Sequence, residues 1–479
     1  MPFPITSAIA KNKLSWFMLV IFSGMALGFL ILFFFAKLGL TIATFCSLGI
    51  IFPFITIIAG DSKRLLWLLL CVFLPVSVDM TLNHTGHVGG AAGLMISFYD
   101  IVLAILYLLW FIEIISKKEV KIDFYPEISI PFIALFSLSS LSVISAKYPE
   151  LCVYEIIEIF KMYLTFIYLA NNIKTKNDVL FILSIFILAL FFEGLLGFAQ
   201  HRYEMPFFPT ALGGPAWIGS RVTGTWKSYN DFAWYLTFFL PLSMCLIFSE
   251  TKTIFKLLCL LTFAVASGAL LWTSSRSGWL SLGISSLFIG FLIVCKINEK
   301  KSLVTLFLTV LLILVLILPL YPRIYNKIYG RFSMNDKGSA SSRLLQFQVA
   351  FNMIKANPII GVGINNYSEN IKKYDDTEEG IEQFTIFPVH NIFLHIAAEI
   401  GMFGLSIFIW ILAVIFFKGV NYIMQNKGVL VYSVIGMLAG ILAFMIHGLF
   451  DVASIGSRMF LFMWFFSGII FAVGKIETD

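Results

Sequence analysis

Long apolar runs alternate with short polar segments along the whole chain. A helix needs roughly 20 apolar residues to cross a bilayer. The pattern predicts fourteen such spans, near residues 15–36, 40–60, 65–80, 94–116, 127–145, 152–171, 178–200, 231–249, 256–274, 278–295, 302–320, 390–417, 428–449 and 457–474. The runs are continuous and lack the period-two alternation of an outer-membrane barrel, so the prediction is an all-α, polytopic membrane protein.

Two polar segments between the predicted spans are long enough to form loops with structure of their own. One covers residues 201–229, and the larger one covers residues 321–389, with short helices, and ends where the next apolar helix begins. We treat residues 1–479 as a single membrane domain that carries these two loops. Loops on a rigid scaffold often carry function, so the larger loop is expected to hold active-site residues.

Composition and charge agree with this class and exclude others. Hydrophobic residues make up 59% of the chain and charged residues 13%, with a mean hydropathy of +0.93, which is more apolar surface than a soluble fold can bury. The net charge of +6 is modest and arises largely from loop lysines, so we expect membrane lipids and no nucleic acid as partners. The six cysteines show no paired spacing typical of zinc or redox sites.

The distribution of cations predicts the orientation. Short cytoplasmic loops collect Lys and Arg, and every second connection here carries two or three of them, whereas the opposite short loops carry one or none. This predicts a bacterial cytoplasmic (inner) membrane protein with both termini in the cytoplasm and both long loops in the periplasm. The first apolar stretch lacks a small-residue cleavage site and is interpreted as the first span.

Arginine is concentrated on the predicted outer face, while the inner cations are nearly all lysine. The outer arginines are Arg202, Arg221, Arg276, Arg323, Arg331, Arg343 and Arg458. A guanidinium group binds phosphate oxygens through two parallel hydrogen bonds, which an ammonium group does not offer. The pattern favours an anionic ligand at this face, and binding of lipid headgroups or of loop carboxylates is the alternative.

Three local patterns carry these arginines. Arg221 lies shortly before Asn230 at the start of a span, and Arg276 lies in a turn of a few residues between two spans. Ser341 and Ser342 form a predicted N-cap before a helix that contains Arg343 and ends near residues 357–358. A first helical turn presents free backbone N–H groups, so Arg343 there would contribute to a phosphate site.

His390 lies at the outer start of a span, where a neutral imidazole can accept the proton of a sugar hydroxyl. His395 and Glu399 are four residues apart and are expected to pair on one helix face. A metal site is disfavoured because His390 and His395 point about 140° apart on a helix. The acidic run at residues 375–382 is interpreted as a solvated segment or as a binding surface for an acceptor sugar.

Over residues 195–410 the sequence resembles the O-antigen ligase and polysaccharide polymerase superfamily of bacterial envelope enzymes. The resemblance rests on four groups of residues in this order: Arg221-x-x-Gly224-Thr225 with Asn230; Ser275-Arg276-x-Gly278; Ser342-Arg343 with Asn357-Pro358-Ile359-Ile360-Gly361-Val362-Gly363; and His390-Asn391-x-x-Leu394 with Glu399-x-Gly401-x-x-Gly404. It implies a membrane glycosyltransferase of the GT-C type that uses a glycan on an undecaprenyl pyrophosphate carrier and needs no metal or other cofactor.

The resemblance also implies roles for individual residues. Arg276 and Arg343 would hold the pyrophosphate, and His390 would activate the acceptor hydroxyl for a displacement that inverts the anomeric carbon. Arg221, Asn230 and Asn391 would bind substrate in support.

Several functions stay open from the sequence. A polymerase would extend a lipid-linked repeat unit, a ligase would transfer the polymer to lipid A core, and a third relative would glycosylate protein hydroxyls. Fourteen spans favour the polymerase. An anion transporter is the alternative from another class, because Asp100, Glu155, Glu158, Lys161 and Glu193 lie inside predicted spans, although Glu158 and Lys161 are spaced to neutralise each other.

Overall fold

The computed structural model of the chain describes residues 62–75, 79–116, 121–203, 221–296, 339–377, 380 and 387–476. These residues form thirteen α-helices, one short 3₁₀ helix at Ser142–Ser145 and one β-hairpin. The helices are α1 (Ser62–Phe73), α2 (Phe98–Ser116), α3 (Pro126–Leu141), α4 (Pro149–Asn172), α5 (Lys176–Tyr203), α6 (Tyr229–Ile247), α7 (Thr253–Thr273), α8 (Arg276–Lys296), α9 (Ser339–Ala356), α10 (Tyr367–Tyr374), α11 (Ile392–Gln425), α12 (Val429–His447) and α13 (Arg458–Val473). The predicted spans near 15–36, 40–60 and 302–320 lie outside the described residues, as do Arg323 and Arg331.

Eight helices of the described part are long and apolar enough to cross a membrane. They are α2, α3 with its 3₁₀ extension, α5, α6, α7, α8, α11 and α12, and each coincides with a predicted span. α4 and α13 coincide with two further predicted spans, near 152–171 and 457–474. The all-α polytopic class is therefore confirmed.

The structure differs from the prediction at residues 65–80. The helix there, α1, ends at Phe73 after 12 residues, and strand β1 (Asp79–Leu82) pairs in antiparallel fashion with β2 (Leu94–Ser97). Arg458 explains where α1 ends, since its guanidinium donates hydrogen bonds to the carbonyls of Phe73 and Leu74 and forms an ion pair with Asp79. Carbonyls at a helix end need such donors when they are buried, and an apolar run does not reveal them.

Two spans, α6 and α12, lie in the centre of the bundle. Each has 83% of its membrane window buried, and they pack along each other, with α8 beside α12 and α7 beside α6. α13 packs on α4, and α11 packs on α3. Phenylalanines of α6 and α13 interlock in the core, as the 5.3 Å separation of the Phe239 and Phe466 ring centroids shows. Such packing gives the loops at the bundle end a rigid support.

Segments predicted to share one face of the membrane contact each other in the structure. Lys418 pairs with Glu127 at 3.2 Å, and Lys475 pairs with Asp123, all from segments predicted to be cytoplasmic. At the predicted outer end, Lys147 donates to a backbone carbonyl of α10 at 3.1 Å. These contacts agree with the predicted alternation of loops, whereas the compartment that each end faces stays a prediction.

Candidate active site

Five of the six predicted site residues line one cavity of about 860 Å³, which we name the arginine cavity: Arg221, Asn230, Arg276, Arg343 and Asn391. They come from four separate segments, namely the segment before α6 with its first turn, the α7–α8 turn, α9 and the start of α11. Ser274, Ser275, Ser277, Phe450 and Asp451 complete much of the remaining wall. The fold thus gathers three guanidinium groups, separated by up to 122 residues of sequence from Arg221 to Arg343, in one place.

The α7–α8 turn places Arg276 at the N-terminus of a helix. α7 ends at Thr273, Ser274 has the left-handed φ of 55° that closes the turn, and α8 begins at Arg276. Ser275 Oγ accepts a hydrogen bond from Gly278 N at 3.3 Å, which satisfies one donor of the first turn. The cavity therefore faces both the Arg276 guanidinium and the positive end of the α8 dipole, which favours an anion.

Arg343 lies on α9, whose start differs from the prediction. The helix begins at Ser339 and not after Ser342, so Arg343 is its fifth residue and lies beyond the free N–H groups of the first turn. Arg343 therefore contributes its guanidinium to the cavity. The prediction that free backbone N–H groups surround Arg343 is wrong, because the helix begins four residues earlier. The predicted end of the helix near residues 357–358 is confirmed, since α9 ends at Ala356.

Arg221 and Asn230 form the opposite wall. The Arg221 guanidinium carbon lies 4.4 Å from the centroid of the Tyr229 ring, and such a cation–π contact fixes the group at low cost in solvation. Ser228 caps α6 by accepting a hydrogen bond from Asn230 N at 3.0 Å, which holds Asn230 at the cavity rim.

Asn391 is the N-cap of α11, and its side chain makes three hydrogen bonds. Its Oδ1 accepts hydrogen bonds from the backbone N–H groups of Phe393 and Leu394, each at 3.0 Å, and its Nδ2 donates to the Leu449 carbonyl at 3.2 Å. This ties the start of α11 to the segment after α12. Direct binding of substrate by Asn391 stays a prediction.

His390 lies beside the arginine cavity and is oriented by Gln346 of α9. The Gln346 Oε1 atom is 3.0 Å from His390 Nδ1 and also accepts the His390 backbone N–H at 3.4 Å. An amide oxygen only accepts, so this contact places the proton of the neutral ring on Nδ1 and its lone pair on Nε2. Burial, reinforced by the positive charge of Arg343, lowers the pKa of His390 to about 4, so the ring is neutral near pH 7.

Asp451 is a site residue that the sequence did not indicate. It lies between α12 and α13, lines the arginine cavity, and accepts a hydrogen bond from Trp234 Nε1 at 3.3 Å. Burial raises the pKa of Asp451 to about 6, against the opposing effects of the Val452 N–H, Trp234 and the Arg343 charge. One carboxylate faces three guanidinium groups, so the cavity is positive at neutral pH.

The acidic run that follows α10 is only partly described. Asp376 accepts a hydrogen bond from Gln348 Nε2 of α9 at 2.9 Å, and Asp375 Oδ1 accepts one from Thr377 N at 3.1 Å. Residues 378, 379 and 382 lie outside the described residues. The two described carboxylates thus make local contacts, and a role in acceptor binding stays a prediction.

A break in α11 fastens the outer loop to the bundle. The helix departs from helical geometry at Ile400 and Gly401, and the segment after α9 fills the gap. Val362 N donates to the Ala398 carbonyl at 2.9 Å, Gly363 N donates to the Glu399 carbonyl at 3.0 Å, and Met402 N donates to the Pro358 carbonyl at 2.8 Å. Irregular backbone is tolerated at such a depth because protein groups satisfy it.

His395 and Glu399 reinforce this junction. Their side chains pair at 3.3 Å inside the protein, as the four-residue spacing predicted, and Glu399 Oε1 also accepts the Tyr367 backbone N–H at 3.0 Å. The pair therefore holds the start of α10 against α11. Within the part of the chain that the structure describes, no group of three or more His, Cys, Asp or Glu is placed to bind a metal ion.

Replacing Gly401 by alanine should destabilise the fold by about 1–3 kcal/mol, because its φ of 75° and ψ of 176° belong to a region that essentially only glycine adopts. A Cβ there would also lie 2.1 Å from the Ile359 carbonyl oxygen. Thermal unfolding in detergent, followed by intrinsic fluorescence, measures the loss. Gly283→Ala in α8 is the matched control, since a Cβ at Gly283 meets nothing within 4 Å, and an equal Tm for both variants would contradict the role of the break.

Comparison with known proteins adds one finding. Residues 261–409 match the family model described as O-antigen ligase, which covers 149 of the 479 residues. The matched range includes Arg276, Arg343, His390 and Asn391, whereas Arg221 and Asn230 precede it. No curated protein sequence matches the chain significantly. The match confirms the resemblance noted from the motifs.

Proposed function

We propose that the chain, whose residues 261–409 match the family model described as O-antigen ligase, moves a glycan from an undecaprenyl pyrophosphate carrier to a sugar hydroxyl. The observation that carries this proposal is the convergence of Arg221, Arg276 and Arg343 on one cavity beside a neutral histidine. In this proposal the enzyme lies in the bacterial cytoplasmic membrane and the cavity faces the periplasm.

The arginine cavity supplies the groups that a pyrophosphate leaving group requires. When the bond between the anomeric carbon and the phosphate oxygen breaks, negative charge grows on the pyrophosphate. Three guanidinium groups and the N-terminus of α8 line the cavity, and in this proposal they stabilise that charge. The proposed reaction uses these fixed charges and needs no metal ion.

His390 supplies the base. Its Nε2 lone pair accepts the proton of the acceptor hydroxyl while that oxygen bonds to the anomeric carbon. The pyrophosphate departs with the electron pair of the broken bond between the anomeric carbon and the phosphate oxygen. A single displacement of this kind inverts the anomeric centre. Gln346 keeps the ring proton on Nδ1, which holds the ring in the tautomer that can act as a base.

The acceptor distinguishes two forms of this activity. The fourteen apolar runs favour a polymerase, which extends a lipid-linked repeat unit. The description of the matched family favours a ligase, which would transfer the glycan to lipid A core. We propose the polymerase, and the acceptor requirement in a reconstituted reaction decides between them.

The ionisable residues inside spans support an enzyme more than a transporter, because each has a structural partner. Lys161 pairs with Asp100 at 3.1 Å and with Glu158 at 2.7 Å. Glu155 accepts the N–H groups of Ala91 and Gly456, and Glu193 accepts that of Thr225. Within the described residues, these contacts give each of the five ionisable side chains a structural role. Flux of a labelled anion into proteoliposomes would support the transporter function instead.

The test is reconstitution of the purified chain with a lipid-pyrophosphate-linked repeat unit as the only substrate and with a metal chelator present. Longer lipid-linked glycans are expected from the wild-type protein and not from Arg276→Ala. Product that forms only after lipid A core is added would identify a ligase. Transfer to no acceptor would contradict the proposed function.

A further inference from the structure

A second cavity of about 530 Å³ lies under the β1–β2 hairpin, and we name it the hairpin cavity. Its walls are the hairpin itself, α4, the segment from Trp226 to Trp234, residues 387–388 and the segment from Val452 to Leu461. The sequence did not indicate it, because its lining residues are scattered from Leu74 to Leu461.

The two cavities share a wall, and the chain at His390 passes between residues that line one cavity and residues that line the other. Three segments contribute to both cavities: residues 226–234, 387–391 and 449–461. Pro388 lines the hairpin cavity and Asn391 lines the arginine cavity, with His390 between them in the chain. Trp234, which lines the hairpin cavity, donates its hydrogen bond to Asp451, which lines the arginine cavity.

The charges of the hairpin cavity differ from those of the arginine cavity. Arg458 pairs with Asp79, and Lys161 lies between Asp100 and Glu158, so these cations are already neutralised. Lys227 and Asp231 add one basic and one acidic side chain. A ligand with many hydroxyl groups suits such a wall, because carboxylates and ammonium groups both hydrogen-bond to hydroxyls, whereas a polyanion would meet no surplus of cations.

Two buried polar groups in this cavity have no partner among the described residues. They are Trp226 Nε1 and Ser457 Oγ, and Trp226 is only 4% exposed. A buried donor without a hydrogen bond destabilises the protein, and a ligand that bonds to this donor removes that cost.

We propose that the hairpin cavity is the subsite for the acceptor sugar, which Trp226 and Ser457 recognise through its hydroxyl groups. This inference rests on the proposed function and names where the second substrate binds. The sugar occupies the hairpin cavity and presents one hydroxyl across the shared wall to His390, while the pyrophosphate of the donor occupies the arginine cavity. Separate cavities keep the acceptor sugar away from the cluster of guanidinium groups.

The experiment measures binding of methyl glycosides of glucose, galactose, mannose and N-acetylglucosamine to the full chain in lipid nanodiscs without donor, by saturation-transfer NMR. At least one glycoside is expected to bind the wild-type protein. Trp226→Phe combined with Ser457→Ala should weaken that binding about tenfold, the effect of two lost hydrogen bonds. Ser457→Ala alone removes one oxygen atom and should weaken the binding by about threefold. This single variant tests the inference even if the double variant does not fold.

Three controls separate the possible outcomes. Trp279→Phe removes an indole whose Nε1 donates to the Leu270 carbonyl and which lines neither cavity, so glycoside binding should persist. Binding should also persist in Arg276→Ala and in the presence of inorganic pyrophosphate. Absence of binding by every glycoside, or displacement of the glycoside by pyrophosphate, would overturn the inference. Absence of glycan transfer by the wild-type protein would count against the proposed function alone, since this binding needs no donor.

Discussion

Replacing His390 with alanine should lower the rate of glycan transfer by about 10²- to 10⁴-fold, the usual contribution of a positioned general base. Donor binding should change little, because the guanidinium groups that face the arginine cavity remain. The measurement is single-turnover transfer in nanodiscs, together with a separate titration of the lipid-linked donor.

His84→Ala is the matched control for this variant. His84 is exposed in the β1–β2 hairpin, and its removal should leave transfer unchanged. A smaller loss is expected for Gln346→Leu, because Gln346 only holds the imidazole in the required tautomer. An unchanged transfer rate in His390→Ala would show that another group accepts the proton, and Asp451 would then be the first to test.

The second large effect concerns Arg343, which should influence both the donor and the base. Arg343→Gln is expected to weaken transfer by about 10²- to 10³-fold through lost stabilisation of the leaving pyrophosphate. The positive charge of Arg343 also contributes to the low pKa of His390, after burial, so removal of that charge should raise this pKa towards its ordinary value. Burial remains in the variant, so the rise should be partial.

The expected rise in the pKa of His390 can be measured through the pH dependence of transfer. The neutral imidazole is the active form, so transfer by the wild-type protein should fall only when the pH drops through about 4, and transfer by Arg343→Gln should begin to fall at a higher pH. The pH dependence of transfer shows the difference between the two proteins. Lys355→Gln, at the far end of the same helix, should keep the wild-type pH profile. A wild-type pH profile in Arg343→Gln would show that the charge of Arg343 does not influence the pKa of His390.

Most of the described helices could be predicted because a membrane span leaves a local signal. The run predicted at 278–295 became α8 (Arg276–Lys296), and the run at 428–449 became α12 (Val429–His447). The end of α1 could not be predicted, because it depends on Arg458, which lies 384 residues after Leu74 in the sequence. The break in α11 was hidden for a similar reason, since Gly401 lies in an apolar run and its partners come from residues 358–363.

Site residues could be predicted where the residue type alone indicates the chemistry. They could not be predicted where the chemistry depends on the neighbouring side chains in the fold. Arg221, Arg276 and Arg343 were expected to bind an anion, and the structure brings them together at one cavity. Gln346 and Asp451 were not expected, because a lone amide or carboxylate has no meaning until its neighbours are known. Gln346 left a weak signal, three residues after Arg343 and so on the same face of α9.

The junction at residues 358–363 also decides how the protein can be divided. Three backbone hydrogen bonds join this segment to α11, and Gly401 must approach the Ile359 carbonyl closely. A chimera that exchanges only the polar loop with a relative would therefore bring together two surfaces that have not adapted to each other. A longer exchange that keeps these three hydrogen bonds runs from the start of α9 to the residue after the break, residues 339–402, and it carries Arg343, Gln346 and His390 along with it. The start of α4 would have to match it, because Tyr148 N donates to Asn366 Oδ1 and Asn365 Nδ2 donates to the Leu151 carbonyl.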